Sequence, residues 1–199
     1  MSGLLLQARR LAATEIVSAA PVRRVLLLAL FALLTALGAH VAVPLSFGPV
    51  PLSLQTLFVV LAGLLLGARL GAASQALYLA AGFAGMPVFA HGWGGAAVLL
   101  GPTGGYLLAF PAAAALAGWA ADRSRAWGSG AAYAGLAAGA LLGGVAILAG
   151  GWAQLTILTG SAARALEVGV LPFLVGDAVK LALAIVLASG LKPRFRQLL

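Results

Sequence analysis

Cysteine is absent from this 199-residue chain, which excludes disulfides and thiolate metal sites but says nothing about compartment. Acids are scarce too: four Asp and Glu stand against twelve Lys and Arg, with two His. That leaves little material for general acid–base chemistry. Enzyme signatures are missing, with no G-x-x-x-x-G-K-[ST] loop for ATP, no H-E-x-x-H, no G-x-S-x-G and no clustered acids for a metal. Any ATP-driven step would need another protein to hydrolyse the ATP.

What is present is apolar. Hydrophobic residues make up 63% of the chain and charged ones 8%, far outside the range of a soluble domain. A membrane span needs about 20 apolar residues, so roughly five to seven fit here with short loops and no second domain. The net charge of +8 then reads as a positive-inside pattern with attraction to anionic lipid, not as a nucleic-acid surface.

The expected fold class is all-α, a polytopic bundle of six transmembrane helices. The spans are placed at 25–43, 52–67, 70–85, 106–121, 131–157 and 171–191. Residues 1–22 are read as a cytoplasmic surface segment with an amphipathic helix over 3–18, and 192–199 as a cytoplasmic tail. With both termini inside, the inner segments hold Arg9, Arg10, Arg23, Arg24, Arg69, Arg123, Arg125, Lys192, Arg194 and Arg196; the outer loops hold Arg164 alone. An odd number of spans destroys that split. Trp93, Trp119, Trp127 and Trp152 fit an aromatic belt. Arg164 and Glu167 read as a loop pair worth little.

Glycine is abundant, and small residues recur at helical spacing. Gly63, Gly67 and Gly71, then Gly139 and Gly143, form G-x-x-x-G steps, and Ala29, Ala32, Ala36 and Ala39 make a stripe. Such stripes let helix backbones approach closely, either inside the bundle or against another membrane subunit.

Asp177 and Lys180 are the costly residues. They share one face of the last span, and each costs roughly 2.5–3.5 kcal/mol at mid-membrane on insertion scales. Such a pair is either an internal tie or a grip on a polar ligand. The PLSFGPVP turn before Gln55 and the stretch MPVFAHGWGGAAVLLGPTGG fall at the same, outer end of the bundle. Irregular backbone at that depth is tolerated where it lines a cavity. Gln55 bonds another helix or a ligand; His91 reads as a solvated loop residue more readily than a metal ligand. No polar residue obviously lines the inner half.

Taken together, Pro49-Val50-Pro51 with Gln55-Thr56, Gly85-Met86-Pro87-Val88-Phe89, Gly94-Gly95, Gly101-Pro102-Thr103-Gly104-Gly105-Tyr106 and Pro172-Phe173 to Gly176-Asp177-x-x-Lys180 resemble the BioY family. These are the biotin-binding S components of energy-coupling factor vitamin transporters. The resemblance runs from about residue 25 to 191 and implies a pocket for biotin near the outer face of a bacterial cell membrane. It also implies a transmembrane T subunit and two ATPase subunits as partners. No cofactor is implied, biotin being the transported ligand. A standalone carrier for biotin or another small solute, working alone or as a homo-oligomer, is the alternative. The implied biotin site is Gln55, Trp93, Gly94, Gly95, Gly104, Tyr106, Asp177 and Lys180. Ala32 and Ala36 match the family's A-x-x-x-A docking pattern on the first helix. Two positions depart from it: Trp93 and Leu107 stand where some members carry Asn and Arg at the ligand. The resemblance therefore gives Asp177 and Lys180 more of the recognition here. Asp177 is expected to accept the ureido N–H groups, and Trp93 to pack on the bicyclic ring.

Overall fold

Two-residue strands are the only extended pairing among the described residues of the computed structural model, which describes 2–45, 48–124 and 129–198. Everything else regular is helical: α1 (Ser2–His40), α2 (Gln55–Leu66), α3 (Ala68–Phe83), α4 (Ala96–Leu100), α5 (Gly104–Arg123), α6 (Ser129–Thr159), α7 (Ala162–Gly169) and α8 (Leu174–Leu198). Short 3-10 turns cover Ala90–Gly92 and Leu171–Phe173. Strands β1 (Ala42–Val43) and β2 (Leu52–Ser53) pair antiparallel around the proline-rich turn. Expectations placed on Arg125 and Trp127, and on the side chains of Arg9, Arg10 and Arg196, lie outside the described residues.

The all-α expectation holds, while the count of spans is coarser than six. Among the described residues, four segments are long and apolar enough to cross a membrane: Pro21–His40, Gly104–Arg123, Gly130–Thr159 and Ala162–Phe195. α2 is apolar but has 12 residues, about 18 Å at 1.5 Å per residue. Ten of those residues are buried, and α2 packs on α1, α3, α5, α6 and α8. α2 is thus enclosed by its five neighbouring helices.

Several boundaries move. The surface helix expected over 3–18 is not a separate element, because α1 runs unbroken through Pro21. The tail expected at 192–199 continues α8 through Pro193. The segment between the expected fifth and sixth spans holds α7, Ala162–Gly169. Ser161 caps that helix by accepting from the Arg164 backbone N–H at 3.3 Å, which satisfies one of its orphan donors. Arg164 and Glu167 pair at 3.2 Å on its exposed face. Glu167→Ala is expected to change stability by no more than about 0.5 kcal/mol, checked by melting in detergent.

Small residues set the helix contacts. A Cβ on Gly71 would lie 2.8 Å from the Gly63 Cα, so α2 and α3 cross at these two glycines after a turn at Gly67, where φ is +83°. A methyl group on Gly63 would run into the Ala114 carbonyl of α5, and one on Gly139 into the Ala117 carbonyl. Both G-x-x-x-G features are therefore internal packing. The alanine stripe resolves the same way in its C-terminal half. Ala36 is 7% exposed, Ala39 is buried and Ala32 half-buried, on the side of α1 that meets α2 and α3. At the two positions expected to dock a partner, Ala36 packs within its own bundle and Ala32 keeps part of its surface open. The outward side of α1 carries Val22, Val25, Leu26, Leu33 and Leu37.

Polar side chains do occur inside. The Thr35 hydroxyl lies 3.2 Å from Gln75 Oε1, Gln75 donates to Ser74 Oγ at 3.2 Å, and Ser74 donates to the Gly71 carbonyl at 2.8 Å. These groups are fully buried and line neither cavity, so they supply no polar path. The three side chains satisfy one another and the backbone, which ties α1 to α3.

Candidate ligand site

One end of the bundle gathers the β1–β2 turn, the N-terminus of α2, the 84–103 stretch, the start of α5 and the start of α8. Between them lies a cavity with about 130 Å³ open to the centres of water molecules. That is room for a small organic molecule, since a single water needs roughly 10–15 Å³ on this measure. Phe89, Leu107, Phe110, Ile147, Leu148 and Phe173 supply apolar wall, and Ser53, Gln55, Thr56, Thr103, Asp177 and Lys180 are its polar points. A largely apolar chamber with a few placed polar groups is the usual form of a small-molecule site.

The ion pair is built by α8. Asp177 falls in its first turn, where the helix dipole favours a carboxylate, and Lys180 follows on the same face. Lys180 Nζ lies 2.6 Å from Asp177 Oδ1 and donates to the Ser53 carbonyl at 3.0 Å. Thr56 donates to the same Oδ1 at 3.4 Å. Both side chains are over nine-tenths buried. Among the described residues Asp177 Oδ2 accepts no hydrogen bond, and the ammonium has one proton left of three. The pair is neutral overall, yet keeps one acceptor and one donor at the cavity wall. It suits a neutral group offering both a donor and an acceptor better than a net charge.

Gln55 is buried at the start of α2, donating to Tyr78 OH at 2.7 Å and accepting from Ser53 Oγ at 3.0 Å. Tyr106 lines the cavity and donates to the Gly169 carbonyl at 2.5 Å, which pins α5 to α7. Trp93 reaches the cavity but is 63% exposed, its ring centroid 5.9 Å from that of His91. His91, expected as a solvated loop residue, is exposed and also lines the cavity; its backbone is left-handed, with φ of 61°. The chamber therefore has a buried ionic end and an open end at His91 and Trp93.

Five of the eight expected site residues meet here: Gln55, Trp93, Tyr106, Asp177 and Lys180. Gly94, Gly95 and Gly104 are not in the wall, and each has a backbone reason to be glycine. A side chain on Gly94 would strike the Met86 carbonyl, and one on Gly104 the Leu99 carbonyl; Gly95 has φ of +93° and donates to the Gly82 carbonyl. Leu107 lines the wall. Phe89, Thr103 and Phe173 stood inside the quoted motifs without being singled out. Ile147 and Leu148 carried no signal at all, being apolar residues in an apolar helix. Tyr78 was missed because a Tyr in such a run reads as packing.

The model of the BioY family matches residues 8–197 of this chain. The chain belongs to the BioY family. Among its relatives, a probable biotin transporter BioY from Pyrococcus horikoshii is 44% identical over 170 residues, covering 85% of this chain and 96% of its own. The biotin transporter BioY of Thermotoga maritima is 38% identical over 172 residues, with the same two coverages. A crystal structure of the S-component for biotin from an ECF-type ABC transporter superimposes with a TM-score of 0.80 at 28% identity, covering 87% of this chain and 92% of that one. These BioY relatives are transporters by name, not enzymes, and the several apolar helices of this BioY-family chain fit a multi-pass membrane protein.

Proposed function

We propose that this chain is a biotin-binding subunit of the cell membrane that captures the vitamin in the cavity between α2, α5 and α8. One observation carries the reading: the buried Asp177–Lys180 pair is neutral yet retains one acceptor and one donor, in a largely apolar chamber of a BioY-family chain. A ureido ring offers N–H donors beside a carbonyl acceptor. Asp177 Oδ2 accepts from the ring N–H, and the free Lys180 proton meets the ring carbonyl. The bicycle and tail lie along Phe89, Phe110 and Phe173. The carboxylate points to the open end at His91 and Trp93, because Lys180 is already neutralised and Leu107 brings no charge.

Six spans with both termini cytoplasmic complete the proposal. α2 is buried and α3 packs on it with one face while exposing the other, and Arg23, Arg24, Arg69, Arg123, Lys192 and Arg194 then share the end opposite the cavity, which faces the cytoplasm. A T subunit and two ATPase subunits supply the energy for release inside.

Calorimetric titration of the purified protein tests this. Biotin is expected to bind, and biotinamide to bind within about fivefold of it, since a charge at an exposed rim is worth about 1 kcal/mol or less. Iminobiotin in its protonated form is expected to lose most of its affinity, because a cation replaces the ureido carbonyl beside Lys180. No heat with biotin sinks the reading. Equal binding of protonated iminobiotin removes the ureido from the ionic end.

A further inference from the structure

Tyr78 does not line the cavity but stands directly behind its wall, 1% exposed. Its ring meets Phe89 edge-on at 5.6 Å and stacks near Phe110 at 6.2 Å, both wall residues. Its hydroxyl lies 3.1 Å from the Val88 carbonyl oxygen and 2.7 Å from Gln55 Nε2. A carbonyl oxygen only accepts, and a phenol has one proton to give. That proton goes to Val88, so the hydroxyl meets Gln55 as an acceptor. Gln55 must then turn its NH₂ group toward Tyr78. On the other side Ser53 Oγ donates to Gln55 Oε1 at 3.0 Å. A hydroxyl can donate or accept, so Ser53 adapts to either orientation, and it is the Tyr78 end that sets the amide. Of its two N–H donors and two lone pairs, one of each stays free for whatever fills the cavity.

We propose that Tyr78 is a positioning residue for ligand recognition. It fixes which way the Gln55 amide faces and, through Val88, ties that amide to the 84–95 segment. That segment carries Phe89, His91 and Trp93 into the cavity wall. A turned-over amide would exchange the places of the free N–H and the free lone pair that Gln55 offers the cavity. The inference rests on the biotin reading above.

The test is a double-mutant cycle, titrating the full-length native protein, Tyr78→Phe, Gln55→Ala and the double variant with biotin. Tyr78→Phe keeps the ring contacts with Phe89 and Phe110. It is expected to weaken biotin on the order of tenfold, the scale of one hydrogen bond, and to cause no further loss when added to Gln55→Ala. An equal loss in both backgrounds assigns Tyr78 a packing role and overturns the proposal. So does Tyr78→Phe titrating like the native protein. Gln55→Ala binding biotin as the native chain does overturns it whether or not Tyr78→Phe folds. A native chain that does not bind biotin overturns the functional reading and this inference with it; the other outcomes leave that reading standing.

Discussion

Lys180→Ala is expected to destabilise the protein by about 3–5 kcal/mol, because it leaves the Asp177 carboxylate buried without its counter-ion, and to weaken biotin binding about 10- to 150-fold. The two effects have separate causes. Stability falls because Asp177 Oδ1 loses a partner at 2.6 Å and retains only Thr56 at 3.4 Å. The Ser53 carbonyl also loses its donor, so the turn before α2 is no longer held to α8. Binding falls because the free ammonium proton is gone. A hydrogen bond to a charged group contributes roughly 1.5–3 kcal/mol, or about 10- to 150-fold in affinity. Asp177→Asn is milder for the fold, since an amide keeps an acceptor for Lys180. The combination Asp177→Asn with Lys180→Met removes both charges and is expected to melt above Lys180→Ala alone. That combination separates a tie from a grip. If the pair only holds α8 to the turn before α2, the double variant binds biotin normally once folded. If the pair grips the ring, it folds and does not bind. Melting with and without ligand reads both quantities, because a ligand that binds the folded state raises the melting temperature by an amount that grows with the logarithm of its concentration over Kd.

Gly63→Ala is expected to be nearly as damaging, by about 3 kcal/mol, at the upper end of overpacking costs. The added methyl group meets backbone on one side, the Ala114 carbonyl of α5, and the Ala117 Cβ at 2.9 Å. Neither is a flexible side-chain end that can swing aside. α2 would have to move away from α5, and α2 carries Gln55 and Thr56 of the cavity at its other end. The variant should therefore lose biotin affinity as well as melting temperature, although Gly63 lies two turns from the site. Gly190→Ala is the matched control: a Cβ there meets nothing within 4 Å, and replacing Gly by Ala inside a helix favours the helix by up to about 1 kcal/mol. Detergent melting of the two variants should move in opposite directions. A Gly63→Ala protein that melts with the native one would mean that the α2–α5 crossing has slack the structure does not show.

The residues themselves announced where chemistry is concentrated. Four acids in the whole chain, with one set three residues before a Lys in an apolar run, singled out Asp177 and Lys180 by cost alone. Prolines and glycines marked the irregular segments at the same end, since chains this apolar have few other reasons to break a helix. Gln55 was legible for the same reason as the ion pair, as a polar group in an apolar setting. The opposite case is Ile147 and Leu148, which line the cavity from α6 and differ in nothing from their neighbours along the chain. Tyr78 is intermediate, a polar tip whose partners, 10 and 23 residues away, no local pattern reveals.

Composition, charge distribution and motifs by themselves determined an all-helical membrane bundle of the BioY family with an ionic pair at one end. Those properties follow from local hydropathy and from the cost of burying charge, which each residue carries with it. Tertiary structure alone decided which way the small residues face. Gly63 and Gly71 meet each other and Ala36 turns inward, because helix rotation is set by packing against neighbours and not by spacing. It also decided that Asp177 and Lys180 neutralise one another while each keeps one valence at the cavity. That depends on the Ser53 carbonyl and the Thr56 hydroxyl arriving from more than a hundred residues away in the chain, and no pattern within α8 could have placed them there.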